Sequence, residues 1–515
     1  MAYSVQSEPA RILHDQLLST GDIPFPDSFK EAAEKVTFTG DSQPFIPTPP
    51  KISDSSAALN ALLGVIASAI SKDRYGIDHQ DITVNTDVAS LFLMSIVLAT
   101  INGAPALDHP RIQHELHKGD LYDTHKPIHR QCTNVYRTKD NRWFHLRGST
   151  NAARTMAMVG VPEQNVTNEE ARAIYMDKVA QWDADEIDRV ANEEYRQAEV
   201  TCYTPDEFFA SEQGQIMGKE PLYTLKKRPA PRTPWPTPKD PSRPLAGIRV
   251  IDFSRVTAAS VISKMLAALG ADVLKVTSEN LPDVSLTWID LSTGKRDTNI
   301  NVKSPEGHEN FVHLVESADV LMIDGYRPGV LSRLGVDAES LRQINPSLVY
   351  ARENCYGWKA PLSYRSGWQQ ITNSDYQMVV VGAAAVSHAL LVRAQEDVTF
   401  DIDLSLTQYN IWYYRLGEQT PEVQKELLAR NEGLQLRHYD EMMSLIPKTV
   451  AAARKTRPDL FQHPEYFETM SGAQWGIDED ISILTTAFNL GKSRLGYDIP
   501  SGSRGRSEPK WNDSA

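Results

Sequence analysis

Few residues in this sequence are spaced for chemistry. The cysteines, Cys132, Cys202 and Cys355, lie far apart, with no CxxC pair and no Cys/His cluster. Such spacing argues against a structural zinc site or a disulfide framework. It fits reduced thiols in a cytoplasmic setting. No GxGxxG motif occurs, so a nicotinamide cofactor has no support, and no metal is implied. Asp375, in TNSDYQMVVVGAAAVSHALLVR, stands just before an apolar, Ala-rich helical stretch. On its residues alone it reads as a helix N-cap. The position also suits a reacting carboxylate, because a helix N-terminus stabilises an anion. His388, further along that helix, follows the apolar stripe and reads as a core histidine. Lys295, Arg296 and Arg333 read as solvated surface charge, although such side chains can also neutralise phosphates.

The rest of the composition narrows the class. A length of 515 residues predicts about three domains. With 41% hydrophobic and 23% charged residues the chain is of ordinary globular type, which argues against disorder. The formal charge of −14 is a poor basis for non-specific nucleic-acid binding, which needs a surplus of Lys and Arg. The run from Val88 to Leu107 lacks charge, but Asn102-Gly103 and Pro105 interrupt it, so a buried helix is expected rather than a membrane span. The first residues carry no basic-then-apolar leader pattern.

The elements that would position these residues differ between the two halves. Seven prolines in PAPRTPWPTPKDPSRP, residues 229–244, forbid a helix and predict an extended, semi-rigid linker. After it, strands are predicted at IRVIDFS (248–254), ADVLKV (271–276), DVLMID (319–324) and SLVYARE (347–353). Helices are predicted at 258–269, closed by Gly270, at 306–318 and at 338–344. This alternation predicts a parallel sheet covered on both faces, with ligands beyond the carboxyl ends of its strands. Before the linker, helices are predicted at 57–71, 88–100, 169–180 and 185–198, DITVN (81–85) reads as a short strand, and VYRTKDNRWFHLRG (135–148) reads as a hairpin turning at Lys139-Asp140-Asn141. No βαβ unit is expected in that half. A weak echo links the Ala61–Ala89 and Ala389–Asn410 stretches, each an Ala-Leu-Leu helix, a short strand and a helix.

The second half resembles the family III CoA-transferases, the CaiB/BaiF group, which includes the 2-methylacyl-CoA racemases. The matching stretches are PLAGIRVIDFSRV (244–256), LGADVLKV (269–276), GKR (294–296), SPEG (304–307), ADVLMIDGYRPGVLSRLG (318–335) and INPSLVYARENCYGW (344–358), spread over about 115 residues. The hairpin and TCYTPDEFFASEQGQ (201–215) resemble the family's small domain. The chain therefore resembles fungal members built from two incomplete tandem copies. The resemblance implies an α/β fold, with a Rossmann-like parallel-sheet domain and a smaller α+β domain. The expected divisions are an N-terminal extension (1–56), a partial copy with the small domain (57–228), the Pro-rich linker (229–244), a CoA-binding large domain (245–412) and a C-terminal helical segment and tail (413–515).

The resemblance also implies a reaction. Acyl-CoA and a carboxylic acid would be the substrates, with no metal, no nucleic acid and no membrane involved, in a cytoplasmic homodimer. A fungal setting would suit secondary metabolism. Counting back from Ala389-Leu390-Leu391-x-Arg393, Asp375 falls at the family's acyl-carrying aspartate, a nucleophile that needs no general base. Coenzyme A contacts are implied at Thr257, Ala258, Lys295, Arg296, Gly325, Tyr326, Arg327, Arg333, Asn354, Cys355 and Tyr356. Several positions depart from the family. Val379 replaces a small residue, Ser278 replaces an arginine, Ala259-Ser260 replace a Gly-Pro pair, and the stretch from Trp368 to Asp375 is short. These departures keep a degenerate, CoA-binding pseudoenzyme open as an alternative. A racemase, the third alternative, needs a second proton-transfer group; its histidine would fall at Trp368, which cannot shuttle a proton.

Overall fold

The computed structural model describes residues 3–237, 240, 242–255, 257–365 and 372–512. Val256 and Trp368 lie outside the described residues. The largest element is a seven-stranded sheet in the order Lys295–Asn299, Asp272–Thr277, Arg249–Ser254, Val320–Asp324, Val349–Glu353, Val398–Leu404, Thr224–Pro229. All neighbours are parallel except the last pair, where Thr224–Pro229 runs antiparallel to Val398–Leu404. Numbered along the chain, the six parallel strands lie 3-2-1-4-5-6, the doubly wound order of a Rossmann-like sheet.

The strands are apolar on both sides because both faces are covered. Val250, Val320 and Ala351 enter one core with the helices Ala258–Ala268 and Thr372–Gln395. Ile251, Phe253 and Leu321 enter the other with Pro305–Glu316 and Ala338–Arg342. Helix limits follow local chemistry. Ser304 Oγ accepts the Gly307 N–H at 3.1 Å to cap one helix, and Gly270, at φ +106°, turns the chain out of Ala258–Ala268.

A smaller three-stranded antiparallel sheet, Asn134–Arg137, Trp143–Leu146 and Val200–Cys202, carries its own core beneath the helix Asn168–Val179. Its hairpin turns where predicted, with Asn141 at φ +64° and Thr138 N donating to Arg142 O at 2.9 Å.

Other expectations are corrected. The first half does hold a βαβ unit: Val36–Thr39 and Ile82–Asn85 pair in parallel across the helix Ile52–Tyr75. Ile82–Asn85 is the short strand expected at 81–85, whereas its partner Val36–Thr39 has only four residues, too few to give a period in the sequence. The Val88–Thr100 helix is instead Thr86–Leu91 followed by a 3₁₀ stretch, Phe92–Val97. Lys295–Asn299, polar in sequence, is an edge strand held by pairing with Asp272–Thr277. The C-terminal segment supplies strands as well as helices: Asp480–Leu484 pairs with Thr100–Ile101, and Phe488–Leu490 pairs with Ile82–Asn85.

The halves on either side of residues 229–244 also share one hydrophobic core, which reaches from Ile12 to Leu490. Ile52–Tyr75 lies against Thr372–Gln395 inside it. These two helices are long and apolar enough to cross a bilayer, and both are buried in this core.

Candidate active site

In the doubly wound sheet the strand connections diverge between Arg249–Ser254 and Val320–Asp324, and beyond the carboxyl ends of such strands lies the crevice in which sheets of this kind bind ligands. Thr257 and Ala258 begin the helix on one side of it. On the other side Gly325 turns at φ +78°, where a Cβ would lie 3.1 Å from Arg255 Cβ. Tyr326 stacks on Phe253 at 4.8 Å. Next in space, Asn354 donates to Ser363 O at 2.9 Å and accepts from Tyr356 N at 3.0 Å, which fixes the buried Cys355 and Tyr356 loop. Thr257, Ala258, Gly325, Tyr326, Arg327, Asn354, Cys355 and Tyr356 are thus gathered on neighbouring loops. Arg333 ends the exposed helix Val330–Arg333 just beyond them.

Lys295 and Arg296 stand apart from this group. Lys295 is wholly buried, with Nζ 2.9 Å from Asp252 Oδ2. Burial brings its ammonium down to about 8. Burial opposes ionisation of Asp252, but Lys295, Lys275 and the Ser254 and Ser263 hydroxyls hold it at about 2. Arg296 pairs with Asp272 at 3.0 Å, at the start of the neighbouring strand and away from the crevice. Lys295 also donates to Ser260 Oγ at 2.9 Å, tying Asp252 to the first turn of Ala258–Ala268, while Arg296 braces the sheet edge.

Asp375 is not an N-cap: it lies within the first turn of Thr372–Gln395 and is 8% exposed. Its neighbours fix it from both sides. Ser374 Oγ donates to Asn410 Oδ1 at 2.6 Å, and Tyr376 OH donates to Asp290 Oδ2 at 3.1 Å. Burial and then the Asp324 carboxylate push the Asp375 carboxyl well above the usual range, while the Arg147 guanidinium opposes them. Asp324 and Glu353, at the ends of adjacent strands, form a buried carboxyl pair. Burial and the Asp324 charge keep the proton on Glu353, which donates to Asp324. Asp324 Oδ2 also accepts the Ala259 N–H at 3.3 Å.

The positive charge opposite Asp375 comes from the small sheet. Arg147 follows the strand Trp143–Leu146 and is 1% exposed. Burial lowers its guanidinium to about 10, and Cys355, Tyr356, Asp375 and Glu199 lie within its electrostatic reach. Glu199 does not neutralise it at pH 7. Burial lifts that carboxyl to about 8, despite a 2.7 Å hydrogen bond from Thr155 Oγ1 and the nearby Arg147.

A second group of cations surrounds the Gly325 loop. Arg154 and Arg196 lie close enough to Arg327 to lower its guanidinium beyond the effect of burial. Arg327 also donates to Arg196 O. Arg255 and Arg504 face Tyr326, and Arg504 donates to the carbonyl of Ser278. The crevice is therefore locally basic in an acidic chain.

Sequence alone missed Arg147, Glu199, Arg154, Arg196 and Arg504. In RWFHLRG the strand alternation ends at Leu146, and nothing marks the next arginine as buried. The other four sit on segments whose approach to the crevice depends on tertiary folding. His388 is the core histidine expected: it lies between Phe25 and Phe29 rings at 5.5 and 5.2 Å. Val379, at the position where the family has a small residue, is fully buried in the main core.

Comparison with known proteins identifies the family. Residues 245–384 match the model of CoA-transferase family III. The acetyl-coenzyme A transferase nodX of Hypoxylon pulicicidum is 32% identical over 488 residues, covering 86% of this chain and 82% of that protein. An acyl-CoA transferase of Gibberella moniliformis is 29% identical over 354 residues, covering 66% of this chain and 62% of that one. The crystal structure of Rv3272 from Mycobacterium tuberculosis aligns over 52% of this chain and 98% of its own, at 18% identity and a TM-score of 0.39. With a relative at 32% identity across most of both chains and the family model matching its doubly wound half, the chain belongs to CoA-transferase family III.

Proposed function

We propose that the chain moves CoA from an acyl-CoA to a carboxylic acid, with Asp375 as the acyl carrier. The placement of Asp375 carries the proposal: a buried carboxyl in a helix's first turn, at the mouth of the crevice, with a buried arginine facing it.

In the first step the Asp375 carboxylate attacks the thioester carbonyl. The C–S bond breaks, CoA leaves as thiolate, and a mixed anhydride remains. The thiolate attacks the Asp375 carbonyl, releasing the first acid as carboxylate and leaving an aspartyl-CoA thioester. The acceptor carboxylate attacks that thioester and again expels thiolate. The thiolate then takes the acceptor's acyl group and frees Asp375. No net proton is exchanged, so a nucleophile without a general base suffices. Arg147 favours the ionised Asp375 and stabilises the negative charge that builds up on the tetrahedral oxygens. The cations about Tyr326 and Arg327 suit the phosphates of CoA.

The test is incubation with acetyl-CoA, trapping with hydroxylamine or borohydride, and peptide mass mapping. An adduct on Asp375 is expected, and Asp375→Asn should lose roughly 10³-fold or more in kcat. Undiminished turnover by Asp375→Asn would overturn the proposal. CoA binding with no adduct and no turnover would identify a binding protein that lacks the chemistry.

A further inference from the structure

A hollow of about 500 Å³ opens beside the first turn of the Asp375 helix. Its walls come from the 200–213 segment of the small subdomain, the loop from Tyr356 to Leu362, and the helix Leu406–Arg415. Gln213 ties two of these walls together, donating to Tyr356 O at 2.7 Å and accepting from Leu362 N at 3.0 Å. Asn410, on the third wall, accepts the 2.6 Å hydrogen bond from Ser374 Oγ. The hollow therefore adjoins both the Tyr356 loop of the crevice and the residue next to Asp375.

Its lining is apolar. Phe208, Phe209, Leu362 and Ile411 face it. Tyr203 and Tyr414, also in the lining, are left 44% and 56% exposed, a large aromatic area open to water. Among the described residues that line the hollow, Glu212 carries the only charge. A second carboxylate placed there would meet that like charge, and the guanidiniums of Arg142 and Arg415, which lie over the rings of Tyr203 and Phe209, are already engaged by Asp185 and Glu207 and by the Gly218 carbonyl. The volume falls in the range of small-molecule sites, which are mostly apolar with a few polar groups.

We propose that this hollow holds the hydrocarbon body of the acid exchanged at Asp375, and so selects bulky apolar monocarboxylic acids over small dicarboxylic ones. The inference rests on the CoA-transferase reading of Asp375.

The test separates occupancy from turnover. Cys202 lines the hollow and is exposed, whereas Cys132 and Cys355 are buried. Its rate of alkylation by a maleimide therefore reports what fills the hollow. Octanoate is expected to slow that alkylation at least fivefold in the parent and in Asp375→Asn, while succinate leaves it unchanged. With acetyl-CoA as donor, kcat/KM for octanoate should exceed that for succinate at least tenfold. Tyr414→Asp, at an exposed position, should erase that preference and the protection together. Equal transfer to both acids with no protection of Cys202 would overturn the inference and leave the CoA-transferase reading intact. Protection without transfer to any acid would overturn that reading instead. Protection that follows protein concentration and a monomer–dimer shift in sedimentation would assign the hollow to a second copy of the chain and also overturn the inference.

Discussion

Glu199→Gln tests the electrostatics of the site most directly. Glu199 is fully buried, accepts the Thr155 hydroxyl at 2.7 Å and lies beside Arg147. Its carboxyl rises from an ordinary 4.5 to about 8, chiefly through burial. At pH 7 the folded chain thus holds a proton that the unfolded chain has released. The unfolded state binds fewer protons, so stability falls with rising pH by about 1.4 kcal/mol per unit, beginning near the unfolded value and ending above the folded one. The full span corresponds to about 5 kcal/mol, of which about 3 kcal/mol falls between pH 6 and 9. Glutamine keeps the shape and accepts the same hydroxyl, but it carries no such linkage. Urea unfolding of both proteins at pH 6, 7, 8 and 9 should show the variant gaining on the parent by about 3 kcal/mol across the series. A difference constant to within about 0.5 kcal/mol would refute the reasoning. Glu199 would then be ionised in the fold, and its charge would cancel that of Arg147 before it reached Asp375.

Two further substitutions probe neighbouring charges. Arg147→Gln removes the cation facing Asp375, so that carboxyl should rise further. The acid limb of kcat/KM against pH should move to higher pH, and Arg147→Lys should restore part of the shift; a lowered plateau with an unmoved limb would show that Arg147 only supports the fold. Lys295→Met leaves Asp252 buried without its partner and should destabilise the fold by roughly 3–5 kcal/mol, read as a fall in the urea midpoint. Adding Asp252→Asn should recover part of that loss.

The doubly wound half could be read from the sequence because its strands and helices are long enough to show their own periods and carry their own stops. IRVIDFS lies within a few residues of its structural limits, and Gly270 ends its helix where expected. The crevice loops followed from the strand order. The strands Lys295–Asn299 and Val36–Thr39 were hidden for the opposite reason, although the short strand at 81–85 was expected. They are short, partly polar, and strands only because a distant segment pairs with them. The charges of the site divide in the same way. Asp375 was singled out by counting back from Ala389-Leu390-Leu391-x-Arg393 under the family resemblance, its local setting alone suggesting an N-cap, whereas the burial of Lys295 and Arg147 is a tertiary fact. A lysine in a one-letter string looks alike whether it meets a phosphate or a buried aspartate.

The pairing of Phe488–Leu490 with Ile82–Asn85 bears on how the chain is made. The inner strand leaves the ribosome about 400 residues before its partner. At roughly 5–20 residues per second, it waits on the order of 20–80 s with one edge bare. During translation the apolar helix Ile52–Tyr75 likewise awaits Thr372–Gln395, which covers it in the finished core. The first half is thus born before the material that shelters it, and its need for chaperones should be greatest while synthesis is still under way.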